Sequence, residues 1–229
     1  MQGALDELLR HPALWRGRDA ARAAAPGEGV PATVATGFAV LDECLPGGGW
    51  PLGAITEILH RSHGIGELSL LLPALAALAR DGRWLAWIAP PWRIAAPALE
   101  ARGIDPARLL VVRGCSANEA LWAAEQALRS AACGAVLLWP QAMRGARPGR
   151  RGGDGFRQLR RLQLAAETGH GLGVLFGDVR VASNASPAAL RLRLSARGGD
   201  LQVEVLKSRG GRRISVCLDP RAAAVADPA

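Results

Sequence analysis

The sequence predicts one α/β domain: a mostly parallel sheet with helices on both faces, finished by a C-terminal antiparallel strand pair. Short apolar runs alternate with segments of helical length from residue 54 to residue 176, the order that crossover helices impose on parallel strands. These runs are predominantly apolar, as strands covered on both faces require. Residues 190–196 and 201–207 instead alternate apolar and polar side chains, the pattern of a half-covered antiparallel pair. A chain of 229 residues buries one sizeable core, whereas two full domains would each be small.

The elements follow in order. Residues 1–16 carry Leu5, Leu8 and Leu9 at helical spacing and read as a short amphipathic helix, with residues 17–32, rich in Ala, Gly and Pro, as its linker. The core is expected over residues 33–219. A short helix starts within residues 36–42, and the Pro/Gly cluster 46–53 reads as turns without regular structure. Strands are expected at 54–59, 84–89, 109–113, 135–139 and 173–176. Helices are expected at 67–80, 95–102, 117–132 and 155–168. Residues 220–229 read as a disordered tail.

Composition narrows the function classes. The longest apolar run, residues 68–79, is interrupted by Ser69 and Pro73 and falls short of the ~20 residues a bilayer needs. The first residues, with Asp6 and Glu7, lack the basic-then-apolar order of a secretory signal, so a cytoplasmic protein is expected, without a membrane partner. Cys44, Cys115, Cys133 and Cys217 have no paired spacing, which argues against a zinc-thiolate site or a disulfide framework. The net charge of +8 is uneven: residues 1–140 hold 12 basic and 13 acidic groups, residues 141–229 hold 16 and 7. All the basic residues except Lys207 are arginine, the better fork for phosphate.

The segment Thr36-Gly37 to Leu41-Asp42, Pro46-Gly47-Gly48-Gly49, Pro51-Leu52-Gly53 and Ile55-Thr56-Glu57-Ile58 resembles the entry to the RecA recombinase core, where it leads into a phosphate-binding loop. The resemblance runs over roughly residues 33–215 and implies a RecA-like fold. Within it, Gly64-Ile65-Gly66-Glu67-Leu68-Ser69 through Pro73 looks like the degenerate loop of the ImuA group, RecA-like accessories of translesion synthesis. The cell-division inhibitor SulA has a similar segment. Membership of the ImuA group implies docking on an ImuB-type Y-family polymerase homologue, with RecA, an error-prone DNA polymerase and single-stranded DNA as further partners. A SulA-like role on a tubulin-like GTPase is the alternative.

A working phosphate loop needs backbone N–H groups held open by glycines, a lysine for the terminal phosphates and a hydroxyl for magnesium. Gly64 and Gly66 remain, but Glu67 stands at the lysine position and Leu68 follows it. A carboxylate there repels a triphosphate, and Glu67 is read as a first-turn residue of the following helix. The strands that would end in magnesium-holding and catalytic carboxylates end at Trp139-Pro140 and Ala89-Pro90-Pro91-Trp92, and Gly177-Asp178 stands where a γ-phosphate-sensing Gln is expected. The expectation is a protein that is not an enzyme and holds no cofactor. Lys207 and Arg209 match basic residues that reach a neighbour's nucleotide in RecA filaments.

Other candidates carry a plainer reading beside the sharper one. Trp139 and Trp92 fill the core, plug a vacant cleft or anchor a partner, core filling being preferred. His60 and His63 have a ligand-like spacing, but no third ligand is apparent from the sequence, so no metal site is expected. Arg144, Arg147, Arg150, Arg151, Arg157, Arg160 and Arg161 lie where RecA-like proteins place their first DNA loop, with Asp154 alone opposing them. They are expected to bind DNA through phosphates, the alternatives being an acidic-partner patch or a solvated face. The second DNA loop of the family would fall at residues 179–187, where this chain is short. Leu5, Leu8 and Leu9 are expected to dock on a RecA-like neighbour or on the chain's own core.

Overall fold

The computed structural model describes residues 32–140, 153–209 and 213–222. The expected helix at 1–16, with Leu5, Leu8 and Leu9, the linker up to residue 31, and tail residues 223–229 lie outside them.

An eight-stranded mixed sheet forms the centre. Its strands are β3 (Ala54–His60), β4 (Trp84–Ile88), β5 (Leu109–Val112), β6 (Cys133–Leu138), β7 (Leu172–Asp178), β8 (Leu190–Arg197), β9 (Asp200–Ser208) and β10 (Ser215–Leu218). Their order is β10-β9-β8-β3-β7-β6-β4-β5. The six strands from β8 to β5 run parallel, and β9 and β10 add an antiparallel meander. Every residue of β3 and β6 is buried, including Thr56, Glu57 and His60 among the otherwise apolar side chains of β3.

Two apolar layers follow from the strand alternation. On one face Ile58, Leu85, Trp87, Leu137, Val174 and Phe176 meet helix α2 (Leu72–Arg80) and the entry segment with α1 (Ala39–Asp42). On the other, Ile55, Ala86, Val136 and Leu175 meet α4 (Ala117–Arg129) and α5 (Gly153–Gly169). The short helix α3 (Ala96–Glu100) follows β4. Ser116 and Glu119 close a reciprocal capping box that fixes where α4 begins. A Cβ on Gly169 would fall on the Leu128 carbonyl, so glycine is required where the ends of α4 and α5 meet.

The α/β class, the parallel centre and the antiparallel ending match expectation. Three details do not. Within the Pro/Gly cluster, Trp50–Pro51 forms a two-residue strand, β2, antiparallel to β1 (Thr33–Val34), because Trp50 is fully buried and anchors the turn. The helix expected from residue 67 starts at Leu72, after a run of turns, since Glu67 is engaged with its own loop. A third C-terminal strand, β10, extends the expected pair; its four residues are too few to show a period. Among the described residues no helix is long and apolar enough to cross a membrane.

Candidate functional site

In a parallel sheet the loops at the carboxyl ends of the strands converge on one rim, where such folds place their ligands. Here β3 ends at His60, in register with Asp178 at the end of β7. The connection from β3 to α2 is the degenerate phosphate loop. Gly64 and Gly66 sit in the left-handed region, with φ of 79° and 104°, a conformation open to glycine at no steric cost. It turns successive backbone N–H groups to one side, forming a nest for an anion.

Glu67 occupies that nest. The Gly64 N–H donates to Glu67 Oε1 at 2.9 Å, and the Ile65 N–H donates to Oε2 at 3.0 Å. The residue is only 2% exposed. The expectation that Glu67 supports the first turn of the next helix is therefore corrected, since that helix begins five residues later. The carboxylate serves its own loop because donors exposed by left-handed glycines need an acceptor.

Beneath the loop lies an aromatic series. Trp139 stacks on Phe176 at 4.6 Å and meets Trp87 at 5.7 Å, while Phe176 approaches His60 at 6.2 Å. Trp139 is buried and fills the core, as preferred from the sequence. Trp92 does not: it is 40% exposed, edge-on to His63 at 5.1 Å, because the Pro90-Pro91 corner carries it onto the rim. The structure also supplies the third ligand that seemed missing beside the histidines. Ligand atoms of His60, His63 and Glu67 all lie within 4.8 Å of one another. Glu67 follows His63 by four residues, but its reading as a first-turn residue of the next helix concealed it as a ligand. Burial pushes the His60 pKa down, opposed by the Glu67 carboxylate.

Sequence reading singled out Lys207 but not the charged row to which it belongs. Glu57 on β3 and Arg191 on β8 are register partners, joined by a buried ion pair at 2.6 Å. Arg191 also donates to the carbonyls of Val181, Ala182 and Asn184. Lys207 on β9, in register with Arg191, donates to the Ser186 carbonyl at 2.7 Å. Desolvation, then Arg209 and Arg191, lower the Lys207 pKa. The short segment at the second DNA-loop position is thus pinned through its carbonyls by two cations. A lone Glu within the apolar run 54–59 was the available signal.

The arginine series divides. Arg144, Arg147, Arg150 and Arg151 lie outside the described residues. Arg157, Arg160 and Arg161 are exposed on α5. Arg161 donates to Glu125 of α4, which also holds Arg129 at 2.7 Å, so its charge is partly answered within the fold.

A family profile described as cell division inhibitor SulA matches residues 53–173, which run from the turn before β3 into β7. The chain is 33% identical to the cell division inhibitor SulA of Edwardsiella piscicida over 125 residues, 53% of this chain and 68% of that protein. It is 32% identical to the protein ImuA of Caulobacter vibrioides over 140 residues, 59% of this chain and 53% of that one. Over 107 residues, 47% of this chain and 30% of the relative, it is 32% identical to the protein RecA of a Picosynechococcus. The chain thus spans about half the length of its ImuA relative. The nest with its internal carboxylate and strand β3 that leads into it fall inside the matched stretch, and the chain belongs to the SulA family.

Proposed function

We propose that this protein is a non-catalytic RecA-like accessory of the SOS response that acts in translesion synthesis and mutagenesis, docking on an ImuB-type polymerase homologue and contacting DNA. The observation that carries this reading is the Glu67 carboxylate on the Gly64 and Ile65 N–H groups. A nucleotide phosphate would need those donors and would meet a negative charge already seated on them. The residues that follow β4 and β6 are Ala89 and Trp139, where the resemblance expects carboxylates, so the metal-holding and catalytic positions of phosphoryl transfer are unfilled. What remains is a scaffold with a rigid sheet and exposed Arg157 and Arg160, suited to binding.

A second reading, a SulA-like inhibitor acting on a tubulin-like division GTPase, is favoured by the family profile itself. Both readings share the self-filled loop and differ in partner. Separate titrations of the purified chain with a purified ImuB-type polymerase homologue and with the division GTPase decide between them. Saturable binding to the polymerase homologue alone is the expected result. Binding to the GTPase alone, with block of its polymerisation, would transfer the assignment to the second reading.

A further inference from the structure

We propose that His60, His63 and Glu67 form a binding site for one divalent transition-metal ion, zinc above all, at the mouth of the self-filled loop. The three residues come from the end of β3, the loop and the nest, and their ligand atoms lie within 4.8 Å of one another. His63 Nδ1 is 3.8 Å from Glu67 Oε1, and the two imidazole rings are 4.7 Å apart, edge to face. A tetrahedral zinc with bonds of about 2.0–2.1 Å holds its ligand atoms roughly 3.3–3.5 Å apart, so the cluster needs only modest contraction. His63 supplies it: its side chain is part-exposed and carried on a loop.

His60 gives the second, independent observation. It is only 4% exposed, and its partner within the fold is the Ser62 backbone, which can hold one ring nitrogen and leave the other to a metal. The second ring nitrogen of so buried an imidazole has little access to water, and a metal–nitrogen bond would satisfy it. Two imidazole nitrogens with one carboxylate oxygen suit zinc and neighbouring transition ions, and suit calcium or magnesium poorly. Glu67 can serve both roles, because each oxygen accepts one backbone N–H and keeps a second lone pair. Those N–H bonds hold the carboxylate in place as outer partners hold a metal ligand. Three protein ligands leave a fourth position for water or for a side chain of a binding partner. None of the four cysteines belongs to the cluster.

The full chain, stripped with chelator and titrated with zinc chloride by calorimetry, is expected to bind one equivalent at about micromolar affinity or tighter. His60→Ala and His63→Ala should each weaken that binding at least about 100-fold, as loss of one of three ligands does, while a Cys44→Ser, Cys115→Ser, Cys217→Ser chain keeps it. His63→Ala carries the test should the buried His60→Ala lower stability. Cobalt in place of zinc should quench Trp92 fluorescence, a signal lost in Trp92→Phe, and should show no thiolate charge-transfer band. Absence of stoichiometric binding, a thiolate band, or undiminished affinity in His63→Ala would each overturn the site. None of these readouts depends on which protein partner the chain takes.

Discussion

Glu67 stands where a phosphate loop carries lysine, and its carboxylate supplies internally the acceptor that a phosphate would bring to Gly64 and Ile65. The identity of the residue was legible; its direction was not, because a single acidic residue before an apolar run signals a helix start equally well. Glu67→Ala in the metal-free protein should lower stability by about 1–3 kcal/mol by orphaning two part-buried donors, and Glu67→Gln by less, since an amide oxygen still accepts one. Unfolding in urea reads both, and equal stability of the three proteins would contradict the nest. The Glu57–Arg191 pair makes a sharper demand. Arg191→Met leaves a buried carboxylate unpaired and should cost about 3–5 kcal/mol. Adding Glu57→Leu should restore part of that but not all, because the carbonyls of Val181, Ala182 and Asn184 still lack their donor. A double mutant as stable as the parent would show that the carbonyl bonds contribute nothing. Lys207 has its pKa lowered in the folded chain, so the unfolded chain binds more protons between that value and the ordinary 10.5. Stability should therefore gain a contribution as pH rises through that window, and Lys207→Met should remove the gain. Urea midpoints taken from pH 8 to pH 10.5 on both proteins are the measurement.

Elements were more readable than residues where their periods were long. The strands at 84–89 and 109–113 end within one residue of expectation, and α4 starts where it was placed, because Ser116 and Glu119 announce it. Misreadings cluster where packing overrides local chemistry: Trp50 draws a turn-rich segment into a strand pair, and Glu67 delays α2. The helix α5 shows what sequence charge alone leaves out. Seven arginines read as one basic surface, yet Arg161 is turned to Glu125 while Arg157 and Arg160 are exposed beside it. DNA affinity should then fall steeply with salt, and Arg157→Ala with Arg160→Ala should flatten the log–log slope by about 1.4, at roughly 0.7 per single-strand phosphate contact. Arg161→Ala should change that slope by less than half of one contact. Fluorescence titrations at four salt concentrations separate the variants. A larger effect from Arg161 than from Arg157 and Arg160 together would reverse the assignment of the DNA-facing side.

At the scale of the whole molecule, the parallel sheet of a RecA-like fold is kept while its ligand rim is rebuilt around the protein's own side chains. The order of strands and helices carried the fold class from the sequence, since alternation over a hundred residues admits few topologies. The rebuilding was only half legible. The absence of the loop lysine and of carboxylates after β4 and β6 could be read position by position. The carboxylate, histidines and tryptophans meet only after folding brings residues 60, 63, 67 and 92 to the rim and residues 139 and 176 to the core beneath it. A rim filled in this way should be indifferent to nucleotide, and thermal unfolding tests that without assuming any partner. A ligand that binds the native state alone stabilises by RT ln(1 + [L]/Kd), about 2.7 kcal/mol at a hundredfold excess over Kd. For a chain of this size that is a rise of roughly 5–11 °C. One millimolar magnesium-ATP should raise the unfolding temperature of this protein by less than about 0.5 °C, as a Kd above about 10 mM implies. Glu67→Lys should leave the shift equally small, because the strand ends at Ala89 and Trp139 still lack carboxylates for the metal. A rise of several degrees in the parent protein would mean that phosphate displaces Glu67 from Gly64 and Ile65, and the loop would then be a latched nucleotide site.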